Sequence, residues 1–269
     1  MKQRYIEGKN GGGPNAFYIP LPRRRFLRSI AAISAGFSLP GYLAEALTLT
    51  PSVTQGPYYP LAANMPLDKD ADLVYLNDSL TAASGIITYV SGRVLTSSGA
   101  PVRGALIELW HTDNGGNYIY SANSARNPAA DKNFAGFGQY LTGSDGAYRF
   151  RTIKAGLYRG RTRHYHFGIT IPGQLTRYTT QLFWNEVAKD ANGTTWDTTN
   201  ANDSVLLGIS DTTQRASVIK DFTLIPGSAI GEQETSHDFV MGLTPVEPNY
   251  PDSGSLVVAG SVAAGPAGG

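Results

Sequence analysis

From Ile86 onward the chain is cut into short β-prone runs by glycine and proline turns, and no stretch keeps an apolar period near 3.6 residues. That pattern limits the fold more than any other feature. Ile86 to Leu95 leads to the turn Ser97-Ser98-Gly99-Ala100-Pro101, and Ala105 to Trp110 then reads as a mostly buried strand. The turn Gly143-Ser144-Asp145-Gly146 precedes Tyr148 to Ile153, whose strict alternation is that of a half-buried strand. Further strands are expected at Tyr165 to Ile171, Val205 to Ile209 and Ser217 to Leu224. The expectation is an all-β chain, an antiparallel β-sandwich with long functional loops and minor helix.

Composition removes several function classes. Cysteine is absent, which excludes disulfide frameworks, thiolate metal sites, iron–sulfur clusters and cysteine nucleophiles. Any metal has to be held by His, Tyr, Asp or Glu. Lys and Arg total 22 against 21 Asp and Glu, with no basic stripe beyond the N-terminus, so nothing favours nucleic acid as a partner.

The N-terminus reads as an address. Arg23-Arg24-Arg25-Phe26-Leu27-Arg28 is followed by uncharged residues from Ser29 to Ala44 and by the small-x-small pattern Ala44-Glu45-Ala46. The apolar region carries Gly36, Pro40 and Gly41 and falls short of the roughly 20 residues a membrane span needs. The pattern resembles a twin-arginine export signal, with the mature protein periplasmic or extracellular; a Sec-type signal or an amphipathic anchor is the alternative. Removing residues 1–46 takes away seven basic and two acidic side chains, leaving 15 basic against 19 acidic. The domain reading is therefore a signal at 1–46, a β-sandwich at 47–244, and a Gly, Ala and Pro-rich tail at 245–269 expected to be loosely ordered.

Chemistry enters with the four histidines, His111, His164, His166 and His237. His164 and His166 stand two apart in an expected strand, so their imidazoles share a face and can converge on one ion, although a surface pair would look the same. Tyr118 and Tyr158 lie just beyond strands, in loops where function concentrates. His111 and His237 carry no motif and are read as structural.

Several short motifs, in order, carry a family resemblance. They are Thr50-Pro51-Ser52-Val53-Thr54-Gln55-Gly56-Pro57-Tyr58-Tyr59, Trp110-x-x-Asp113-x-x-Gly116-x-Tyr118, Gly146-x-Tyr148-x-Phe150-x-Thr152-Ile153, then Tyr158, Arg161, His164-x-His166 and Thr180-Gln181. Together they resemble the intradiol ring-cleavage dioxygenases, the group of the protocatechuate and catechol dioxygenases. The resemblance implies non-haem Fe(III) bound by Tyr118, Tyr158, His164 and His166. It implies O2-dependent cleavage of a catechol between its hydroxyl-bearing carbons, giving a cis,cis-muconate-type diacid. Tyr158 would be displaced by substrate and act as a base, while Arg161 and Gln181 would face the substrate, the one stabilising negative charge and the other holding an oxygen. Trp110 is read as core, Asp113 as a turn residue, and either Tyr58 or Tyr59 as lining the pocket mouth.

Departures bear on substrate. Only five residues separate Tyr158 from His164, a shorter loop than is usual in the best-known members, so the pocket should be more open. Arg163 stands where Pro is common and Tyr165 where Ile or Val is common, and the N-terminal helical linker of the catechol type is not found. These traits resemble a less characterised, exported branch. A carboxylate on the substrate would call for a cation such as Arg159 or Arg163. Two other readings stay open. Gly92-Arg93-Val94 through Leu109 also fits a non-catalytic prealbumin-like or adhesin-type module, and the two histidines also fit a copper or zinc enzyme with a carboxylate ligand. A homo-oligomer is likewise left open.

Overall fold

Alternation builds two sheets. The computed structural model describes residues 47–60, 65–77, 79–119, 127–190 and 192–242, all within one unit of the chain. The expected signal at 1–46 and tail at 245–269 lie outside the described residues. Strands β1 (Ile87–Thr96), β2 (Leu106–Trp110), β3 (Phe137–Leu141), β4 (Ala147–Ile153), β5 (His164–Thr170) and β6 (Tyr178–Trp184) carry the architecture. Short strands β7 (Ile219–Lys220), β8 (Thr223–Leu224), β9 (Gln233–Ser236) and β10 (Phe239–Met241) complete it.

In one sheet β1 is central, antiparallel to β4 with Ile87 opposite Ile153. Its other edge pairs in parallel with β9 and then with β10, and β8 joins β9. The second sheet has the order β3-β2-β5-β6-β7, antiparallel but for the short β6–β7 pair. The β-sandwich expectation holds, and the parallel pairings are confined to short late strands that the reading did not anticipate. β3 and β6 are additional to the expected strands. β3 is five residues long with Gly138 at its second position, and β6 opens on Tyr-Thr-Thr, so neither shows a clean apolar alternation.

One helix replaces an expected strand, and a second expected strand is split into two short pieces. Val205 to Ile209 is not a strand: it falls largely in α1 (Ser204–Leu207), because the Asp203 side chain accepts hydrogen bonds from the Val205 and Leu206 N–H groups and starts a helical turn. The strand expected over Ser217 to Leu224 is present only as β7 and β8, and it follows α2 (Thr212–Ser217), which Asp211 caps. At Asp203 local capping outweighs the apolar run.

β5 shows how the sandwich positions a site. Tyr165, Phe167 and Ile169 join the core between the sheets, where Phe167 meets Phe239 of β10 at 5.0 Å between ring centroids. His164 and His166 turn the other way. That face is not left to water, because Trp110, Tyr118 and Phe137 form a second buried cluster on it, with Tyr58, Tyr59, Met65 and Tyr158 packed against them. An N-terminal arm crosses above. Thr50 N–H donates to the Val240 carbonyl at 2.9 Å, Val53 N–H to the Thr179 carbonyl at 2.9 Å, and the Gln181 amide to the Thr54 carbonyl at 2.8 Å.

Candidate active site

Strand pairing sets the two histidines. His166 of β5 lies opposite Trp110 of β2 on one side and Gln181 of β6 on the other. The Trp110 indole stacks on its imidazole, with centroids 5.0 Å apart and planes 11° from parallel. His164 Nδ1 lies 2.6 Å from the Thr162 carbonyl, so Nδ1 carries the hydrogen and Nε2 keeps a lone pair. The two Nε2 atoms are 3.1 Å apart. Burial pushes the His164 pKa down to about 3, aided by the Arg161 guanidinium, and burial with the neighbouring His164 pushes His166 well below the usual range. Both rings are therefore neutral.

The tyrosines arrive on two loops that need glycine. A Cβ on Gly116 would sit 2.1 Å from the Leu157 carbonyl oxygen, and one on Gly156 would sit 2.2 Å from Gly116 N. No side chain fits, so the loops carrying Tyr118 and Tyr158 can pack backbone to backbone. Asp113 ties them together. Its carbonyl accepts from Gly116 and Gly156 N–H, and its carboxylate accepts from Asn117 and Asp131 N–H. The result places Tyr118 Oη 2.8 Å from His166 Nε2 and Tyr158 Oη 3.4 Å from His164 Nε2.

Those four donor groups fit one cation. Burial raises both phenol pKa values, and the nearby Tyr158 lifts Tyr118 further. Neither phenol ionises unaided, and a cation between the groups would supply the missing drive. Among the described residues no group of three or more His, Asp or Glu could hold a metal, so an ion here has to use the phenolic oxygens. Two neutral imidazoles and two phenolates form a hard, anionic donor set suited to a trivalent ion.

Arg161 and Gln181 meet at the same place. Arg161 Nη1 lies 3.3 Å from His164 Nε2 and 3.5 Å from Tyr158 Oη, while Nη2 donates to Gln181 Oε1 at 2.6 Å. Both ends of the Gln181 amide are engaged, by Arg161 and by the Thr54 carbonyl, so it acts on the arginine and the arm. Sequence reasoning missed Asp203. Its buried carboxylate accepts from Arg161 Nε at 2.9 Å and from Thr162 N–H at 2.8 Å. Burial pushes its carboxyl up, but helix N–H groups and the Arg161 guanidinium outweigh that and hold it below the usual carboxylate range. The available signal was an Asp ahead of Ser-Val-Leu-Leu, a helix cap.

The pocket-mouth question has an answer in the rings. Tyr58 stacks on Tyr118 at 4.4 Å and meets Tyr158 edge-on at 5.9 Å, whereas Tyr59 turns to Trp110, Phe137 and the Glu108 carboxylate. Tyr58 is the one at the site. Arg163 is committed to Glu186 and the Ala155 carbonyl, and Arg159 is exposed. His111 and His237 are buried but do not join the four converging groups. His111 Nδ1 lies 2.8 Å from the Thr112 carbonyl and its Nε2 2.7 Å from Thr152 Oγ1, and the His237 ring packs on Phe239 at 5.0 Å.

Similarity to known proteins covers this region. Residues 54–192 match the family model described as dioxygenase. A protocatechuate 3,4-dioxygenase beta chain from Burkholderia cepacia is 33% identical over 126 residues, 44% of this chain and 52% of that one. A chlorocatechol 1,2-dioxygenase from Rhodococcus opacus is 30% identical over 105 residues, 39% of this chain and 37% of that one. The chain thus spans about half, or less, of the length of these relatives. Among solved structures, the dioxygenase domain of a dioxygenase carbohydrate-binding protein fusion from Streptomyces sp. SirexAA-E is 28% identical, with a TM-score of 0.51 over 73% of this chain and 100% of that one. An intradiol ring-cleavage dioxygenase from Tetranychus urticae shares the fold at a TM-score of 0.55 and 21% identity, over 75% of this chain and 98% of that one.

Proposed function

The chain belongs to the intradiol ring-cleavage dioxygenase family, and from that premise we propose that it opens the ring of a catechol-type substrate between the hydroxyl-bearing carbons. O2 is the co-substrate and a cis,cis-muconate-type diacid the product. The observation that carries this reading is the meeting of Tyr118, Tyr158, His164 and His166 on one face of β5.

We assign these four residues to hold non-haem Fe(III), which when bound would supply Lewis acidity and a template for paired catechol oxygens. Tyr118 is buried and pinned under the Tyr58 ring, so it is the permanent anchor. Tyr158 is half-buried, and its Oη lies at the longer distances of 3.4 Å from His164 Nε2 and 3.5 Å from Arg161 Nη1. It is the phenol that can swing aside and take a proton from a substrate hydroxyl at Oη. Arg161 Nη1, next to Tyr158, is placed to stabilise negative charge as it develops on the ring. Gln181 holds that guanidinium in line, and Trp110, Phe137 and Tyr58 keep water away.

The test is a visible spectrum of the purified protein with iron analysis, followed by anaerobic addition of catechol. A tyrosinate-to-iron(III) band that shifts on addition, with ring-opened product once O2 is admitted, is the expected result. Colourless protein that takes up no iron and leaves catechol intact would instead favour a non-catalytic sandwich module. Export by the twin-arginine route is proposed as well, on the Arg23-Arg24 pair. Replacing both with Lys should trap a cytoplasmic precursor, and unchanged export would refute the route.

A further inference from the structure

The family match stops at residue 192, yet the charge next to the site is held from beyond it. Three contacts converge on Arg161 and Thr162 from the segment between Trp196 and Asp203. The Trp196 indole N–H donates to the Arg161 carbonyl at 3.2 Å, and Thr162 Oγ1 donates to Asn200 Oδ1 at 3.0 Å. The third contact is Asp203, whose Oδ2 takes both Arg161 Nε and Thr162 N–H. Its other oxygen, Oδ1, is used separately, accepting from Val205 and Leu206 N–H at the start of α1.

We infer that Asp203 is a positioning residue that fixes the Arg161 guanidinium against Gln181 and Tyr158, so that its charge sits where negative charge builds up on the substrate. This rests on the reading of Arg161 given above. A guanidinium is a planar fork, and anchoring Nε in its plane leaves Nη1 and Nη2 only one direction. The Asp203 side chain is fully buried against 13% exposure for Arg161, so the pair is little screened and its geometry is tightly set. The same carboxylate links that geometry to α1, and Thr162, whose carbonyl orients His164, is held in the same grip.

The experiment compares Asp203→Ser, Arg161→Ala and the double variant with the wild type. Serine still caps a helix, so α1 is kept while Oδ2 is removed. Asp203→Asn is the second variant, because its amide presents N–H against two N–H donors on whichever side it faces. With catechol as substrate, kcat should fall by about 10–100-fold in Asp203→Ser with KM within about threefold, since the lost contact acts on developing charge. In the double variant the loss should equal that of Arg161→Ala alone. A second readout needs neither metal nor turnover. In protein labelled with 15N-arginine, one exchange-protected Nε–H signal should vanish in both Asp203→Ser and Arg161→Ala.

Losses that multiply in the double variant, or a folded Asp203→Ser or Asp203→Asn with wild-type kcat, would overturn the inference. So would persistence of the protected signal without the carboxylate. If the wild type does not cleave catechol at all, the proposed function fails on its own, and the Nε–H signal still decides whether Asp203 holds Arg161.

Discussion

Two regions of this molecule each bury a pair of histidines, and they use them in opposite ways. His111 and His237 sit in the main body of the sandwich, His111 satisfied at both ring nitrogens and set against Phe134 and Tyr165. His237 contributes chiefly backbone, donating to the Ser91 carbonyl and accepting from the Tyr148 hydroxyl. His164 and His166 lie on the opposite face of β5 from Tyr165, with Nε2 atoms facing each other and two phenols beside them. All four are driven neutral by burial. Burial and neutrality therefore do not distinguish a ligand from a packing residue. Convergence of several donor atoms on one point does.

The comparison breaks most visibly under alanine substitution. His166→Ala should lose iron and activity by more than about 100-fold, beyond what loss of an outer hydrogen-bond partner costs. His111→Ala, by contrast, should lower the unfolding temperature and still purify with stoichiometric iron. Metal analysis of both proteins decides it, and iron retained in His166→Ala would collapse the distinction between the pairs. A smaller effect sharpens the roles within the site. Tyr158→Phe should weaken iron binding by less than His166→Ala does and lose part of the visible band, since the looser phenol is the one removed. Undiminished colour and turnover in that variant would count against Tyr158 as a ligand.

Much of this contrast is legible in the sequence. The His164-x-His166 spacing on a strand puts two imidazoles on one face by period alone, and the alternation of Tyr148 to Ile153 gave β4 nearly to the residue. The tyrosines entered through resemblance, because nothing local tells Tyr118 from the other 14 tyrosines of the chain. Asp203 could not be found that way. Its partner Arg161 is 42 residues earlier, and pairing across such a distance is a property of the folded chain. The misread strand over Val205 to Ile209 has the same origin, since one carboxylate starts the helix and grips the arginine. Gly116 and Gly156 were visible as glycines, but the reason for them, two loops meeting backbone to backbone, lies in three dimensions.

The smallest effect concerns the pair that holds no metal in our reading. Burial pushes the His111 and His237 pKa values down to about 3, whereas in the unfolded chain each returns to about 6.5. Below that value the unfolded chain takes up the proton and the folded chain refuses it. Stability from this source is fully present above about pH 6.5 and drains away as the pH falls toward 3. At pH 5.5, one unit below the unfolded value, each such histidine should cost about 1.4 kcal/mol relative to pH 8, a tenfold change in the folding equilibrium. His237→Gln removes one proton site and leaves the four converging groups untouched. Urea unfolding of the metal-free protein at pH 8 and pH 5.5 should therefore show a smaller loss for His237→Gln than for the wild type, by about that amount. An equal loss in both would mean that His237 is protonated in the fold, and the two histidine pairs would then differ in charge as well as in use.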